Sequence, residues 1–169
     1  MGKNQFSLKN DFLFLRLASA ETNDGLILDG NQTIAEYQKE ISSHGTVWYG
    51  TDSLYYGIAK SKLEAINNCL STDGRIKVVF VISNRGNGDN TISFVGEVVE
   101  VISSREKTQR FQDVPRCFSG NTHKIWLKLS SIEPVNELKT TDLKVKSTNN
   151  ILSKAIQGSR FQMGYLCKI

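Results

Sequence analysis

The sequence predicts an α+β fold, built on a strongly bent mixed β-sheet or an open β-barrel with a few short helices around it. Three observations lead there. Strand-like segments outnumber helical ones along the 169 residues. The longest apolar run, Val78-Val79-Phe80-Val81-Ile82, has strand length and no polar interruption, which marks a central strand. Two Thr/Ser-x-x-Glu boxes, Thr33 to Glu36 and Ser61 to Glu64, open short amphipathic stretches that fit helices inserted between strands.

Each element follows in order. Phe12-Leu13-Phe14-Leu15-Arg16-Leu17 is short, aromatic and apolar, and reads as a strand. Gly25 and Asp29-Gly30-Asn31 mark turns. Ile34, Tyr37 and Ile41 recur at helical spacing behind the first capping box, so residues 33–43 read as a helix that Gly45 ends. Thr46-Val47-Trp48-Tyr49 starts the next strand. Leu63, Ile66 and Leu70 form the stripe of a second helix, closed by Asp73-Gly74. Residues 77–82 and 92–102 are strands joined across a polar, glycine-bearing turn, with Gly96 expected at a bulge or sharp bend. Residues 103–123 lack periodicity and read as a long loop. Ile125 to Leu129 is a strand. Asn149 or Asn150 caps a short helix through Ile156, Gly158 follows it, and Phe161 to Leu166 is the last strand. The whole reads as one domain, residues 1–169, with residues 1–10 expected to be flexible.

Composition narrows the function classes. Hydrophobic content of 39% and charged content of 22% describe an ordinary globular chain. No apolar run approaches the ~20 residues that span a bilayer, so no membrane partner is expected. Cys69, Cys117 and Cys167 are far apart and lack a C-x-x-C, which fits reduced thiols and a cytoplasmic location. With only His44 and His123, a zinc site would need a scattered constellation, and none is expected. The net charge of +4 permits a polyanionic partner without demanding one.

Catalytic motifs are scarce. The phosphate loop G-x-x-x-x-G-K-[ST], the dinucleotide fingerprint G-x-G-x-x-G and the G-x-S-x-G elbow are missing, so no cofactor and no catalytic residue is expected. Cys117 with His123 lacks an orienting group. Glu137-Leu138-Lys139 has the E-x-K ending of some metal-dependent nucleases, with Glu133 or Asp113 as the upstream acid. A small metal-dependent nuclease is therefore one rival reading. The features that stand out instead are aromatic. Trp48-Tyr49 is followed at once by Gly50-Thr51-Asp52-Ser53, where a buried strand would continue with apolar residues. Such rings line a core or box a flat ligand such as a base. Trp126, between Ile125 and Leu127, fits either role, and Tyr55-Tyr56 forms either a second wall or the approach to a helix.

The order H-G-x-V-W-Y-G, then V-x-F-V-I-S-N, a glycine turn, I-S-F-V-G-E-V-V and K-I-W-L-K-L-S-S-I-E-P resembles the EVE and YTH branch of the PUA-like superfamily. It is especially similar to the N-terminal DNA-reader domains of McrB-type, modification-dependent restriction systems. The likeness covers roughly residues 12–135. It departs where such readers often carry a second Trp after the first, since Tyr49 stands there. What the resemblance implies is a PUA-like barrel with an aromatic pocket that receives a flipped, modified base of DNA, methylated in the expected case. The pocket residues would be Trp48, Tyr49, Asp52, Ser53, Asn84, Trp126 and Phe118. Asp52, Ser53 and Asn84 would read polar edges, although Asn84 suits the hairpin turn slightly better, and Phe118 would intercalate or serve as a lid. Arg85, Arg105, Lys107, Arg110 and Arg116 would hold phosphates. Motor and nuclease subunits would be partners. The same sequence also suits an RNA-binding module for modified RNA, or a protein-interaction domain.

Overall fold

Among the residues that the computed structural model describes, 5–158 and 160–169, the chain order is as follows. Strand β1 (Asp11–Leu17) leads through a two-stranded hairpin, β2 (Ala20–Glu21) and β3 (Ile27–Leu28), to helix α1 (Gly30–His44). Strand β4 (Val47–Thr51), helix α2 (Lys60–Asp73), strand β5 (Ile76–Ile82), strand β6 (Ile92–Gln109) and strand β7 (Thr122–Pro134) follow. Strand β8 (Leu143–Val145), the single-turn helix α3 (Leu152–Ala155) and strand β9 (Met163–Lys168) complete it.

The fold is α+β. Seven strands form one mixed sheet in the order β4-β7-β6-β5-β1-β9-β8, and the sheet is not closed. Among the described residues, only β1 and β5 pair in parallel. The apolar run of β5 places it fourth of the seven, as the sequence predicts. Its alternation explains the run: Val78 and Phe80 join Leu13, Leu15 and Leu17 in a core under α1 and α2, while Val79 and Val81 join Phe12 and Phe14 in a second core under α3. A strand covered on both faces has no solvent side on which to carry polar residues.

Several boundaries differ from those expected. Helix α1 starts three residues earlier, at Gly30. Asp29, not Thr33, is its cap: Asp29 Oδ1 accepts from Gln32 N at 2.8 Å and Gln32 Oε1 accepts from Asp29 N at 2.9 Å. A capping box already present at Asp29 wins over the later one, because Asp is at least as good a cap as Thr. Helix α2 has Ala59 at its cap and no side-chain cap bond, so Ser61 and Glu64 lie inside it. Its entry is held instead by buried Ile58, whose N–H donates to Ser103 Oγ at 2.8 Å. Helix α3 begins after Ile151, with Asn149 in a left-handed turn rather than at a cap. The last strand is displaced toward the C-terminus, and Phe161 sits outside it, stacked on Phe14 at 4.9 Å. Gly96 is not at a bulge: it pairs in register with Val78 and Ile132, and the register shifts lie on either side of it. There a Cβ would press on Ser131 O and Val78 at 3.1 Å, so the glycine serves close packing.

The largest difference is the stretch expected as a long loop. Strand β6 runs on to Gln109, and β7 starts at Thr122 rather than Ile125. Ser103 pairs with Ile125, and pairing resumes at Thr108 with His123 and Gln109 with Thr122. Residues 104–107 therefore swell out of the ladder opposite Lys124 alone. Such a swelling breaks the period-2 pattern that would have marked a strand.

Of residues 1–10, expected to be flexible, 1–4 lie outside the described residues. Residues 5–10 are tethered: Ser7 N donates to Asp11 Oδ2 at 2.6 Å, and Lys146 Nζ to Gln5 O at 2.6 Å. Among the described residues, no helix is long and apolar enough to cross a membrane.

Candidate functional site

The two faces of the β4–β7 ladder carry different chemistry. Val47, Tyr49, Leu127 and Leu129 turn toward α1 and the larger core. Trp48, Gly50, Trp126 and Lys128 turn the other way, and neither tryptophan belongs to either core cluster. Trp48 stands opposite Lys128, and Gly50 opposite Trp126. Gly50 has a packing reason: a Cβ there would collide with the His123 ring and come within 2.9 Å of Trp126 Cζ3.

What covers this outer face is the β6 extension. Trp126 Nε1 donates to Thr108 O at 3.0 Å, which leaves the ring 2% exposed. Trp48 N donates to Asp113 O at 2.7 Å, so residues 110–113 cross over the free edge of β4. Arg110 stands 5.5 Å from the centre of the Trp48 ring and Lys128 Nζ 5.6 Å, both within cation–π range. Beside them lies a cavity of about 370 Å³ lined by Trp48, Gln109, Arg110, Phe111 and Gln112. Trp48 is 8% exposed, but Phe111, on the same cavity, is 84% exposed. The Arg110 Nε is buried with no hydrogen-bond partner among the described residues.

Polar and basic groups continue from this cavity. Asp52 Oδ1 accepts from Lys124 N at 2.8 Å, its Oδ2 lies 3.0 Å from His123 Nδ1, and Lys107 Nζ approaches to 3.8 Å. Partial burial works against the Asp52 charge. The Lys124 N–H, His123 and Lys107 outweigh it and hold the carboxyl below its usual value. Lys124 Nζ donates to Tyr55 O at 2.7 Å and lies 4.2 Å from the centre of the Tyr55 ring. Tyr55 and Tyr56 are exposed and meet edge to face at 4.8 Å.

The structure thus brings Trp48 and Arg110 onto one cavity and puts Arg105 and Lys107 on the neighbouring swelling of β6. It does not gather the other sequence candidates there. Tyr49 points into the core, 4.8 Å from Tyr37 and 5.7 Å from Phe80 between ring centres, and burial pushes its hydroxyl well above the ordinary range. Phe118 is 5% exposed and stacks on Tyr37 at 5.7 Å, a core residue rather than a lid. Asp52 is committed to His123 and Lys124, and Ser53 Oγ pairs with Thr51 Oγ1 at 2.8 Å. Asn84 opens the turn after β5, where its carbonyl accepts from Asn87 N, and Arg85 shares that turn. Arg116 is exposed on the single turn that ends at Phe118. Gln109, Phe111, Gln112 and Lys128 were not among the sequence candidates. The one clue to them was an aromatic ring within the polar run Gln109-Arg110-Phe111-Gln112.

Of the nuclease candidates, Glu133 and Glu137 share a cavity, and Asp113 and Lys139 are not on it. Glu133 and Glu137 line a different cavity, of about 540 Å³, with Glu97, and Glu97 is paired to Arg75 at 3.3 Å. No three of these carboxylates lie close enough to share an ion among the described residues. Burial and nearby Glu36 push the Cys117 thiol up, away from the thiolate a nucleophile needs.

No family model, curated protein or solved structure matches this chain.

Proposed function

We propose that this chain is a nucleic-acid-binding module that takes an unstacked base into the cavity beside Trp48. The observation that carries the reading is the grouping of Trp48, Arg110 and exposed Phe111 around one opening on a basic surface. A base sliding between Phe111 and the Arg110 guanidinium meets an apolar ring on one side and a planar cation on the other. Trp48 backs the guanidinium through its ring face, and Lys128 holds the same ring. Gln109 and Gln112 supply amide groups to the base edge, a role that the engaged Asp52 cannot fill. Arg105 and Lys107, on the swelling opposite Lys124, are placed for phosphates.

Within that reading, we assign the chain to the PUA-like readers of a modified base in DNA. The mixed sheet and inserted helices support the assignment, as does the pattern around Trp48. Extrusion of a base costs a few kcal/mol, and stacking worth roughly 1–3 kcal/mol per base offsets it. Motor and nuclease partners complete the restriction system that the likeness implies.

Fluorescence anisotropy with methylated and unmodified duplexes, and with RNA of matching sequence, tests this. Tighter binding to the methylated duplex is the expected result. Equal, weak binding to both duplexes rejects modified-base recognition. Preference for RNA moves the module to modified RNA, and no salt-dependent binding to any of them rejects the nucleic-acid reading.

A further inference from the structure

The last turn of α1 presents Glu40 and His44, four residues apart and so on one face of the helix. Facing them, from beyond the end of β6, stands Asp113. One carboxylate oxygen from each acid and one ring nitrogen of His44 all lie within 4.8 Å of one another. His44 Nδ1 and Glu40 Oε2 are in direct contact. The Asp113 side chain makes no hydrogen bond or ion pair among the described residues, while its carbonyl holds Trp48 N. Its backbone is left-handed, at φ 58°, a conformation that Asp and Asn tolerate better than most residues. No lysine or arginine pairs with Glu40 or Asp113 among the described residues, and Lys39 is engaged with Glu36 at 3.2 Å.

Glu40, His44 and Asp113 thus offer two carboxylate oxygens and one ring nitrogen to a single point. Helix geometry brings two of the three donors together, and the fold brings the third from 69 residues further along (113 − 44 = 69). This is the scattered constellation that the spacing of the two histidines would require. One nitrogen and two oxygens suit a borderline ion. Calcium and magnesium favour all-oxygen sets. Three protein ligands leave zinc a fourth position for water.

We propose that Glu40, His44 and Asp113 bind a divalent transition-metal ion of the zinc class. The ion ties the end of α1 to the segment that crosses Trp48. Asp113 is two residues from Phe111 and three from Arg110, so the clamp fixes the wall of the cavity. Metal binding itself stands apart from the nucleic-acid reading and is tested without nucleic acid.

The experiment is calorimetric titration of the chelator-stripped full chain with Zn²⁺, with Co²⁺ as a visible-absorption probe. One ion per chain is expected, with Co²⁺ d–d bands and no thiolate charge-transfer band. His44→Ala and Asp113→Asn are each expected to weaken binding at least tenfold. His44 is exposed and Asn keeps the left-handed turn, so both variants should retain the wild-type circular dichroism spectrum. No saturable binding, a thiolate band from the cysteines, or wild-type affinity in either variant overturns the proposal. The Co²⁺ spectrum of the wild-type chain decides the case even where a variant fails to fold.

Discussion

Replacing Phe111 by Ala separates ligand stacking from folding. Phe111 is 84% exposed and belongs to neither core cluster. Its removal should change stability by less than about 0.5 kcal/mol, the usual range for surface positions. If a base stacks on the ring, the loss is instead roughly 1–3 kcal/mol of binding free energy. At about 1.4 kcal/mol per decade, that is an affinity loss of about 5- to 140-fold. The ring touches no phosphate in the proposed pose. The slope of log affinity against log salt should therefore stay unchanged while the whole line drops. Anisotropy titration of a labelled oligonucleotide at four salt concentrations, with a thermal melt as control, reads both quantities. A loss under twofold removes Phe111 from the base site. A slope that falls in step with affinity means the ring supports a cation and contacts no base.

Gly50→Ala should destabilise the chain without adding or removing charge, because the new methyl meets the His123 ring and Trp126. Overpacking of this kind costs about 1–3 kcal/mol, or about 2–12 °C in Tm at this chain length, measured by calorimetry. Asp52→Asn tests the acid limb: the folded pKa lies below the unfolded value of about 3.9, so the wild-type carboxylate stabilises the fold above that pH and loses this as pH falls through the folded pKa. The variant should be less stable at neutral pH and show a shallower loss on acidification below about pH 4, and parallel denaturant midpoints across pH would refute the ion cluster.

How much of this was legible depends on which force set each feature. The middle strand was readable because Val78 to Ile82 is buried on both faces, and burial alone writes an unbroken apolar run. The position of α1 was readable to within a turn, but its cap was not, since Asp29 and Thr33 both satisfy the same local rule and only the fold chooses. The β6 extension was invisible. Ser104 to Lys107 swell out of the ladder, and the residues beside them are held by backbone bonds that any side chain permits. The candidate site inherits that gap. Trp48 was singled out because Gly50 and Thr51 behind it read as a loop, yet both continue strand β4, and its neighbours Arg110, Phe111 and Lys128 come from segments joined only by the sheet register. Tyr49 and Phe118 fell to the core for a complementary reason. Alternation along β4 sends Tyr49 to the face opposite Trp48. Phe118 in turn fills the space beside Tyr37.

The extension explains why two tryptophans are buried outside both core clusters. Without residues 108–113, Trp126 loses the carbonyl that satisfies its indole N–H, and Trp48 loses the backbone acceptor at the free edge of β4. Both rings would then lie on an open face beside Gly50. Their cover is thus one polar segment, held to them by two hydrogen bonds and the Arg110 cation–π contact and to β7 by the pairing of Thr108 and Gln109. Segments secured in that way open at lower free energy than core strands. The proposed base site would use this combination: a rigid ladder beneath, which fixes Trp48, and a cover that gives way without disturbing either core. An ion bound by Glu40, His44 and Asp113, as proposed, would hold the same cover at Asp113, whose carbonyl accepts from Trp48 N, and would set how readily the cavity opens.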